Sequence, residues 1–295
     1  MTERDPRHVW STLVAGVGSG ALASVLCAPL DLLRTRLQVW GGLHQNSSAT
    51  SIVYWEILRE MIAKDGVKGC FRGLGATLLT VPAFWGVYFP LYDDLKRRWH
   101  GHATPSLVHL GSAVTAGAVS DVICNPMFVV RTRLQTESLH HQRQHWTIRQ
   151  TIASLYREGG LLIFWRGMSA NLLGLSHVAV QFPAYELLKQ RLQGHKPDPS
   201  ALDVLWASAL SKMTASWLTY PHEVIRSRMM DSREPSVALL STCRHIYRTE
   251  GYLGFYSGLP VSLLRVIPNT CITFLTYEMF LQWARKQIDQ RGVAG

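Results

Sequence analysis

The sequence lacks charge over two long stretches. No charged side chain lies between Trp10 and Leu30, and the segment from Thr104 to Val130 contains only Asp121. Each stretch is long enough to cross the apolar layer of a bilayer, about 30 Å thick, which needs about 20 helical residues. A soluble all-α protein with buried helices is the alternative, but soluble core helices are usually shorter. The two stretches therefore indicate helices that span a membrane.

Signatures of several kinds of chemistry are also missing. The five cysteines form no CxxC pair, which argues against a disulfide framework or a zinc site. The glycine-rich GVGSG at 16–20 follows no predicted strand, so we interpret it as helix packing and not as a dinucleotide-binding turn. No nucleophile–base pair, metal cluster or phosphate-cradling loop stands out. We therefore expect neither an enzyme nor a resident cofactor.

The net charge and the N-terminal residues further restrict the class of protein. The net charge is +10, which suits a surface that faces anionic lipid. There is no base-reading motif and no basic run interleaved with aromatics, so we expect no nucleic-acid partner. The first eight residues, MTERDPRH, have no apolar core of a secretory signal, and they are too short and too acidic for an obvious transit peptide.

What the sequence does contain is one pattern three times. The first segment of the pattern, the signature, reads PLDLLRTRLQ at 29–38, NPMFVVRTRLQ at 125–135 and YPHEVIRSRMM at 220–230. A glycine-rich segment follows each signature: DGVKGCFRG at 65–73, EGGLLIFWRG at 158–167 and EGYLGFYSG at 250–258. Each unit closes with YDDLK at 92–96, YELLK at 185–189 or YEMFL at 277–281. A period of about 95 residues predicts three repeats, which we place at 8–100, 105–194 and 200–287.

Each repeat is predicted to hold two long helices and a short surface helix. The long helices begin near Val9 and end after the first signature in repeat 1, and then cover about 73–98, 105–136, 167–192, 201–230 and 258–286. The surface helices cover about 52–63, 146–157 and 236–249. A proline inside a membrane helix is tolerated as a kink because neighbouring groups satisfy the freed carbonyl. The expected fold is an all-α membrane protein with six transmembrane helices in a pseudo-threefold bundle.

Charged residues of the signatures recur at helical spacing, so they share one face of each kinked helix. Charges at this depth must face an aqueous cavity or each other. The residues expected to form a gate at this end are Asp31, Arg34, Arg131, Glu223 and Arg226. Asp31 would pair with Arg131, and Glu223 would pair with Arg34. Phe128 replaces the third acid, so Arg226 would lack such a partner.

A second group of charges lies in the closing segments, at the opposite end of the bundle. Its members are Asp93, Lys96, Glu186, Lys189 and Glu278. Asp93 would pair with Lys189, and Glu278 with Lys96. An ion pair in a partly wet cavity contributes little net stability, which suits a gate that must open. Two gates that alternate would expose a central site to each side in turn. The alternative is that the charges only join the helices.

The three signatures, the Gly-aromatic-basic-Gly segment and the Tyr-acid-x-x-Lys segment resemble those of the mitochondrial carrier family over about residues 8–286. The resemblance implies six tilted transmembrane helices, three matrix helices and a central site that opens alternately to the two sides. It implies cardiolipin near Gly73, Gly167 and Gly258. It also implies that Gln38 and Gln135 brace the gate on the matrix side, while Met230 departs from that pattern.

The branch of the family is indicated by the second helix of each repeat. The segments WGVYFPLYDDLK (85–96) and SHVAVQFPAYELLK (176–189), and Phe128 in place of an acid, resemble the branch of NAD, pyrimidine nucleotide, FAD and folate carriers. The Trp-x-x-Tyr-Phe and Ser-His-Val-Ala-x-Gln-Phe-Pro patterns are most similar to NAD carriers. The IPNT segment at 267–270 is similar to pyrimidine nucleotide carriers.

The resemblance also indicates where the substrate would bind. It places the family's contact positions at about Thr80–Val81, Leu173–Gly174 and Arg265. The chemistry of the side chains adds Trp85, Leu175, His177, Lys212 and Asn269 as expected contacts. Arg265 is a costly cation in an apolar helix and would hold a phosphate, or else form an internal ion pair. Lys212 would hold a second phosphate or extend to the membrane interface. Gly174 allows close backbone approach. Trp85 would stack on a base, or face lipid.

The sequence thus predicts a transporter that exchanges a nucleotide-type cofactor, with NAD first, across the mitochondrial inner membrane. Pyrimidine nucleotide and FAD or folate carriers are the alternatives within the branch, and its members also occur in plastids and peroxisomes. A proton-leak or scaffolding membrane protein is the alternative of a different class. A six-helix bundle with a central axis can work as a monomer, which we expect here.

Overall fold

The computed structural model describes residues 6–43, 51–101, 104–140, 147–193, 201–234 and 237–293. Within these ranges all regular secondary structure is helical. The α-helices are α1 (Pro6–Leu43), α2 (Ser51–Gly69), α3 (Leu74–Trp99), α4 (Pro105–His140), α5 (Ile148–Gly159), α6 (Met168–Gly174), α7 (Ser176–Gln193), α8 (Ala201–Asp231), α9 (Leu239–Glu250) and α10 (Leu259–Val293). Short 3-10 helices at Leu161–Trp165 and Tyr252–Tyr256 connect the surface helices of repeats 2 and 3 to the next long helix.

Four helical segments of the described chain are long and apolar enough to cross a membrane. They are Gly16–Gly41, Gly66–Trp99, Leu107–His140 and Tyr252–Trp283. They confirm the prediction of an all-α membrane protein. The same bundle includes α8 and the broken helix α6–α7, which are less apolar.

The long helices pack in a closed ring. The last helix of each repeat lies against the first helix of the next: α3 packs on α4, α7 on α8, and α10 returns to α1. The interfaces that close the ring are therefore those between repeats. Helices within a repeat contact each other less extensively. Three similar units thus share one bundle, as the threefold pattern predicts.

The first helices of the three repeats, α1, α4 and α8, run through their signature prolines without a break. They converge at one end of the bundle, which we call the signature end. There the second arginine of each signature donates from Nε to a backbone carbonyl of a neighbouring repeat. The three bonds are Arg36 to Gln135 (3.1 Å), Arg133 to Met230 (3.2 Å) and Arg228 to Gln38 (2.9 Å). This cyclic set holds the signature end together.

Glycine is required where each second helix begins. Gly73, Gly167 and Gly258 have φ of 78°, 74° and 84°, a left-handed conformation that side chains disfavour. These glycines also lie close to the signature helices of the next repeat. A Cβ on Gly73 would be 2.8 Å from Cγ of Gln135. The glycine-rich segments therefore allow the close packing of the signature end.

Some helix boundaries differ from the predicted ones. The predicted single helix over 167–192 is divided at Leu175 into α6 and α7. The surface helix predicted at 52–63 extends as α2 to Gly69, with a non-helical residue at Gly66 (φ 64°). The last helix continues to Val293, past the predicted end at 286. Gly174, a poor helix former, directly precedes the break at Leu175.

Candidate functional site: an arginine cluster above a closed gate

Two ion pairs lie in the interior of the bundle, just inside the signature end. Arg34 of α1 pairs with Glu223 of α8, as predicted. Asp31 pairs with Arg265 of α10. The predicted pairing of Asp31 with Arg131 is wrong for this conformation, because a cation from the second helix of repeat 3 takes that carboxylate. Spacing within the signatures could not show this, since Arg265 lies outside them.

These paired side chains remain in contact with water although they lie between helices. The exposed side-chain fractions are 20% for Arg34, 33% for Glu223 and 28% for Arg265. Because the helices converge at the signature end, we infer that water reaches these groups from the opposite end of the bundle. The geometry is that of a cavity whose floor is formed by the ion pairs.

Two further arginines belong to the same cluster. Arg131 interacts electrostatically with Asp31, Arg265 and Arg34. Arg226 interacts with the carboxylates of Asp121 and Glu223 and with the guanidinium groups of Arg131 and Arg34. Neither Arg131 nor Arg226 has a carboxylate in ion-pair contact among the described residues. The floor of the cavity therefore carries more positive charge than its paired carboxylates neutralise.

The arginine cluster also contains hydrogen-bond donors that have no acceptor. The Nε–H groups of Arg34, Arg131 and Arg265 are buried and have no hydrogen-bond acceptor in the described part of the chain. A buried donor without a partner is costly. Three such donors in one cluster form a site suited to an anion with several oxygen atoms, such as a phosphate.

Arg226 contacts an aromatic ring, and none of the described carboxylates lies within ion-pair distance of it. Its guanidinium carbon lies 4.5 Å from the ring centroid of Phe128, a cation–π contact. Phe84 of α3 lies against the same ring, with 6.0 Å between centroids. The sequence showed that Phe128 replaces an acid, but the cation–π contact was not predicted. An aromatic in the acid position beside three signature arginines is the signal that could have shown it.

A layer of hydrogen bonds lies beneath the ion pairs, toward the signature end. Gln38 donates to the hydroxyl of Tyr220 (3.1 Å) and accepts from Ser227 (2.6 Å). Gln135 accepts from Thr35 (3.0 Å). At the third position Thr132 lies 3.6 Å from the sulfur of Met230, a weak acceptor. The residues predicted to brace the gate thus join different repeats, and the Met230 position has the weakest contact.

An outer pair of salt bridges links the signatures to the surface helices. Arg228 makes a two-point contact with Glu250, with 2.8 Å between Nη2 and Oε2. Arg133 pairs with Glu158 at 2.9 Å. These bridges were not predicted. The signal was present, because Glu158 and Glu250 open the glycine-rich segment in repeats 2 and 3.

The charges at the opposite end behave differently. Asp93 and Glu278 are exposed, and Lys96 and Lys189 are partly exposed. The side chain of Glu186 lies outside the described ones. None of the described members makes an ion pair with another. The pairings of Asp93 with Lys189 and of Glu278 with Lys96 are therefore wrong for this conformation, in which the signature end is closed.

The structure encloses two of the predicted substrate contacts. Thr80 is buried, and its hydroxyl donates to the carbonyl of Ala76 at 2.6 Å. His177 shares a hydrogen bond of 2.9 Å with Thr219. In this conformation both groups have partners within the protein.

The break in the fourth long helix places Gly174 and Leu175 at an interface between repeats. A Cβ on Gly174 would be only 2.6 Å from Nε2 of His222 on α8. Leu175 is half-buried, and its Cδ2 reaches Gly117 of α4. Close packing against His222 therefore explains why a glycine is needed at position 174, besides the predicted contact with substrate.

The other predicted contacts are more open. Trp85 is exposed and stacks on Phe89, with 5.2 Å between ring centroids. Asn269 is half-buried, and Lys212 is exposed. Among the eight predicted contacts, the structure brings only Arg265 into the arginine cluster.

An apolar groove lies on the outer side of the bundle. It has a volume of about 430 Å³ and is lined by Leu79, Met127, Ile152, Leu161 and Trp165 among others. The N-terminal turns of α3 and α5 contribute to its lining through Ala76 and Ile148. Helix N-termini attract anions. A groove with apolar walls and two helix N-termini suits a lipid with an anionic headgroup.

Comparison with known proteins agrees with this geometry. The profile of the mitochondrial carrier protein family matches residues 5–103, 102–196 and 197–287. Nicotinamide adenine dinucleotide transporter 2, mitochondrial, of Arabidopsis thaliana is 34% identical, over 96% of this chain and 82% of that protein. Nicotinamide adenine dinucleotide transporter 1, chloroplastic, of the same plant is 34% identical, over 92% and 91%. Human solute carrier family 25 member 33 is 32% identical, over 91% and 93%. The chain therefore belongs to the mitochondrial carrier family of membrane transport proteins.

Proposed function

We propose that the protein exchanges a nucleotide-type cofactor, NAD+ first, across the mitochondrial inner membrane. The observation that carries this proposal is the arginine cluster with its three unpaired Nε–H donors at Arg34, Arg131 and Arg265. A pyrophosphate offers enough oxygen atoms to accept from several guanidinium groups at once. NAD+ is proposed as the substrate because two similar plant proteins are named as NAD transporters.

The ion pairs suggest how substrate binding would be coupled to gating. A phosphate that binds Arg265 competes with Asp31 for the same guanidinium. Loss of that pair, and of the pair between Arg34 and Glu223, would remove contacts that hold α1, α8 and α10 together at the floor of the cavity. The ligand shifts the equilibrium to the extent that it binds the opened state more tightly than the closed one. The charged residues at the opposite end would then pair as the signature end opens.

Transport by the purified protein in liposomes tests the proposal. Labelled NAD+, UTP, CTP, FAD and folate are offered in parallel, with unlabelled substrate inside. We expect saturable uptake of NAD+. Replacement of Arg265 by Ala is expected to lower uptake about tenfold or more, since a hydrogen bond to a charged group contributes about 1.5–3 kcal/mol. Arg98→Ala is the matched control, because Arg98 is exposed and its one ion pair among the described residues is with Asp94 on its own helix.

The alternatives give different outcomes. Uptake of UTP or CTP without NAD+ would favour the pyrimidine nucleotide carrier that the IPNT segment indicates. Uptake of FAD or folate alone would favour the third member of the branch. The proton-leak or scaffolding alternative would be favoured if none of the five compounds is taken up and if the membrane current of Arg265→Ala equals that of the wild type.

The membrane and the lipid belong to the same proposal. Two of the compared relatives are named for different organelles, one mitochondrial and one chloroplastic. Fractionation of cells that express the full chain would identify the organelle.

We propose cardiolipin as the occupant of the apolar groove. Added cardiolipin should raise the unfolding temperature of the protein in detergent, and Ile152→Glu should abolish that increase. Light scattering of the same sample should give the mass of a monomer.

A further inference from the structure

Asp231 is a buried carboxylate just after the third signature, outside the ion pairs of the arginine cluster. It is the last residue of α8 and is only 4% exposed. The hydroxyl of Thr136 donates a hydrogen bond to its Oδ1, and Nε2 of His140 lies 2.8 Å from its Oδ2. Both partners belong to α4 of repeat 2. One carboxylate of repeat 3 therefore joins the two helices through both of its oxygen atoms.

This contact lies one position beyond the layer of hydrogen bonds that braces the gate. In that layer Gln38 joins repeats 1 and 3, and Gln135 joins repeats 1 and 2. The junction of repeats 2 and 3 has a methionine there, Met230, whose sulfur is a weak acceptor. Asp231 is the next residue of the chain, so it provides a strong polar contact at the junction where the glutamine is missing.

His140 is the member of this contact that titrates near neutral pH. Its side chain is 15% exposed and that of Asp231 is 5% exposed, so water reaches the imidazole while the carboxylate stays enclosed. The other charged side chains on the adjoining turns of α4 and α8, and in the segment after α8, are Arg133, Glu137, Arg228, Arg233 and Glu234. The first four each make an ion pair of their own, and Glu234 is exposed. Asp231 is therefore the acid that acts directly on His140.

The strength of the contact depends on the charge of His140. A neutral imidazole with its proton on Nε2 donates an ordinary hydrogen bond to the carboxylate, whereas an imidazolium donates a charge-assisted bond that is roughly twice as strong. A histidine side chain changes its charge between about pH 5 and 8. The contact between α4 and α8 is therefore strongest at the acidic end of this range, and the added stability is lost as the imidazole loses its proton.

We propose that Thr136, His140 and Asp231 form a pH-sensitive latch between repeats 2 and 3 of the gate at the signature end. Acid on the side to which this end opens favours the closed conformation, and alkali favours opening. The proposal rests on the proposed function, because the latch must release when the signature end opens. The latch is specific to one junction, since the position equivalent to Asp231 is Val39 in repeat 1 and Thr136 in repeat 2.

Thermal unfolding of the full chain in detergent tests the latch without transport. The wild type is compared with His140→Gln, whose amide keeps a donor but cannot become charged, at about pH 6 and about pH 8. We expect His140→Gln to unfold a few degrees lower at the acidic pH, and the difference to fall to less than about half of that at the alkaline pH. His140→Lys, which is charged at both values, should remove the pH dependence of the latch. A difference between wild type and His140→Gln that is the same at both pH values would overturn the latch.

Two variants serve as controls for the thermal comparison. Thr136→Val removes a neutral hydrogen bond to the same carboxylate, so it should lower the unfolding temperature equally at both pH values. His245→Gln changes an exposed imidazole of the surface helix α9 and should match the wild type at both. An effect of His245→Gln as large as that of His140→Gln would show a general response to the loss of a histidine and would overturn the latch.

Exchange in liposomes, with the same pH inside and outside, tests the role of the latch in gating. The substrate is whichever of the five labelled compounds the wild type takes up. We expect the ratio of the exchange rate at about pH 8 to that at about pH 6 to be about threefold or more higher in the wild type than in His140→Gln. An identical pH profile in the two proteins would overturn the gating role of His140. Failure to take up any of the five compounds would contradict the proposed function alone, because the thermal comparison still decides whether the latch exists.

Discussion

The layer of hydrogen bonds beneath the gate yields a quantitative prediction for Gln38. Its side-chain amide is buried, donates to Tyr220 at 3.1 Å and accepts from Ser227 at 2.6 Å. These bonds join α1 to α8 at the signature end. Replacement of Gln38 by Ala removes both bonds and leaves the backbone carbonyl that Arg228 uses in place. The change therefore weakens the closed signature end without breaking the cyclic set of arginine bonds.

The size of the effect follows from the number of bonds. A neutral hydrogen bond contributes about 0.5–1.5 kcal/mol net, so the loss of two is about 1–3 kcal/mol. That is a shift of about fivefold to 150-fold in the balance between the closed and the opened signature end. The reciprocal change, Met230→Gln, replaces the weak contact of Thr132 with sulfur at 3.6 Å by a proper acceptor. It should favour the closed end by about 1 kcal/mol or less.

Two measurements check the prediction. The first is the unfolding temperature in detergent, which should fall by several degrees in Gln38→Ala and rise slightly in Met230→Gln. The second is the exchange rate at saturating substrate in liposomes. If opening of the signature end limits exchange, Gln38→Ala should speed it and Met230→Gln should slow it. Gln135→Ala serves as the comparison, because Gln135 has one such bond, to Thr35, and should have the smaller effect.

If Gln38→Ala and Gln135→Ala both leave the unfolding temperature and the exchange rate unchanged, the hydrogen-bond layer does not stabilise the closed signature end. The side chains would then contact each other without holding the end closed. A faster exchange in Met230→Gln would be equally damaging, because an added acceptor can only strengthen the closed end in this account.

Further predictions concern glycines at contacts between repeats. Gly174→Ala should impair folding and transport, because its Cβ would be 2.6 Å from His222; the double change with His222→Ala should restore the unfolding temperature if this contact is the cause. Gly41→Ala should lower the unfolding temperature by displacing the carboxylate of Glu250 from its salt bridge, an effect that thermal unfolding in detergent would detect. Gly86→Ala is the control for both, since its Cβ would meet no atom within 4 Å and alanine is the better helix former.

The features that sequence could predict are those that repeat. The period of the signatures predicted three units and long helices interrupted only by proline kinks, and the match of the family profile over three segments agrees with the repeats. The repeated pattern predicted the ion pair of Arg34 with Glu223, because equivalent positions on three converging helices lie near the axis. The same reasoning failed for Asp31, which pairs with Arg265 and not with Arg131.

The features that sequence could not predict are those that break the threefold pattern. Arg265 has no arginine or lysine at the equivalent positions of the other repeats, which hold Thr80 and Gly174. Its pairing with Asp31 depends on how far α10 leans against α1, and no spacing encodes that. The close contact of Gly174 with His222 likewise joins residues of different helices, which spacing along the chain does not encode.

Under the proposed function, we expect substrate specificity to depend on these departures from symmetry. A gate built from equivalent residues treats the three repeats alike, so it cannot recognise a ligand that has a phosphate at one end and a base at the other. Recognition of such a ligand needs an asymmetric set of groups. The chain supplies one: a cation at Arg265 in repeat 3 and an aromatic ring at Phe128 where an acid would complete the gate. Phe128 removes one acid from the floor of the cavity, which leaves positive charge available for a phosphate. Restoring the threefold pattern by Phe128→Asp should therefore strengthen the closed gate through a third ion pair with Arg226 and weaken nucleotide binding, and a variant that gained stability with no loss of affinity would contradict this account.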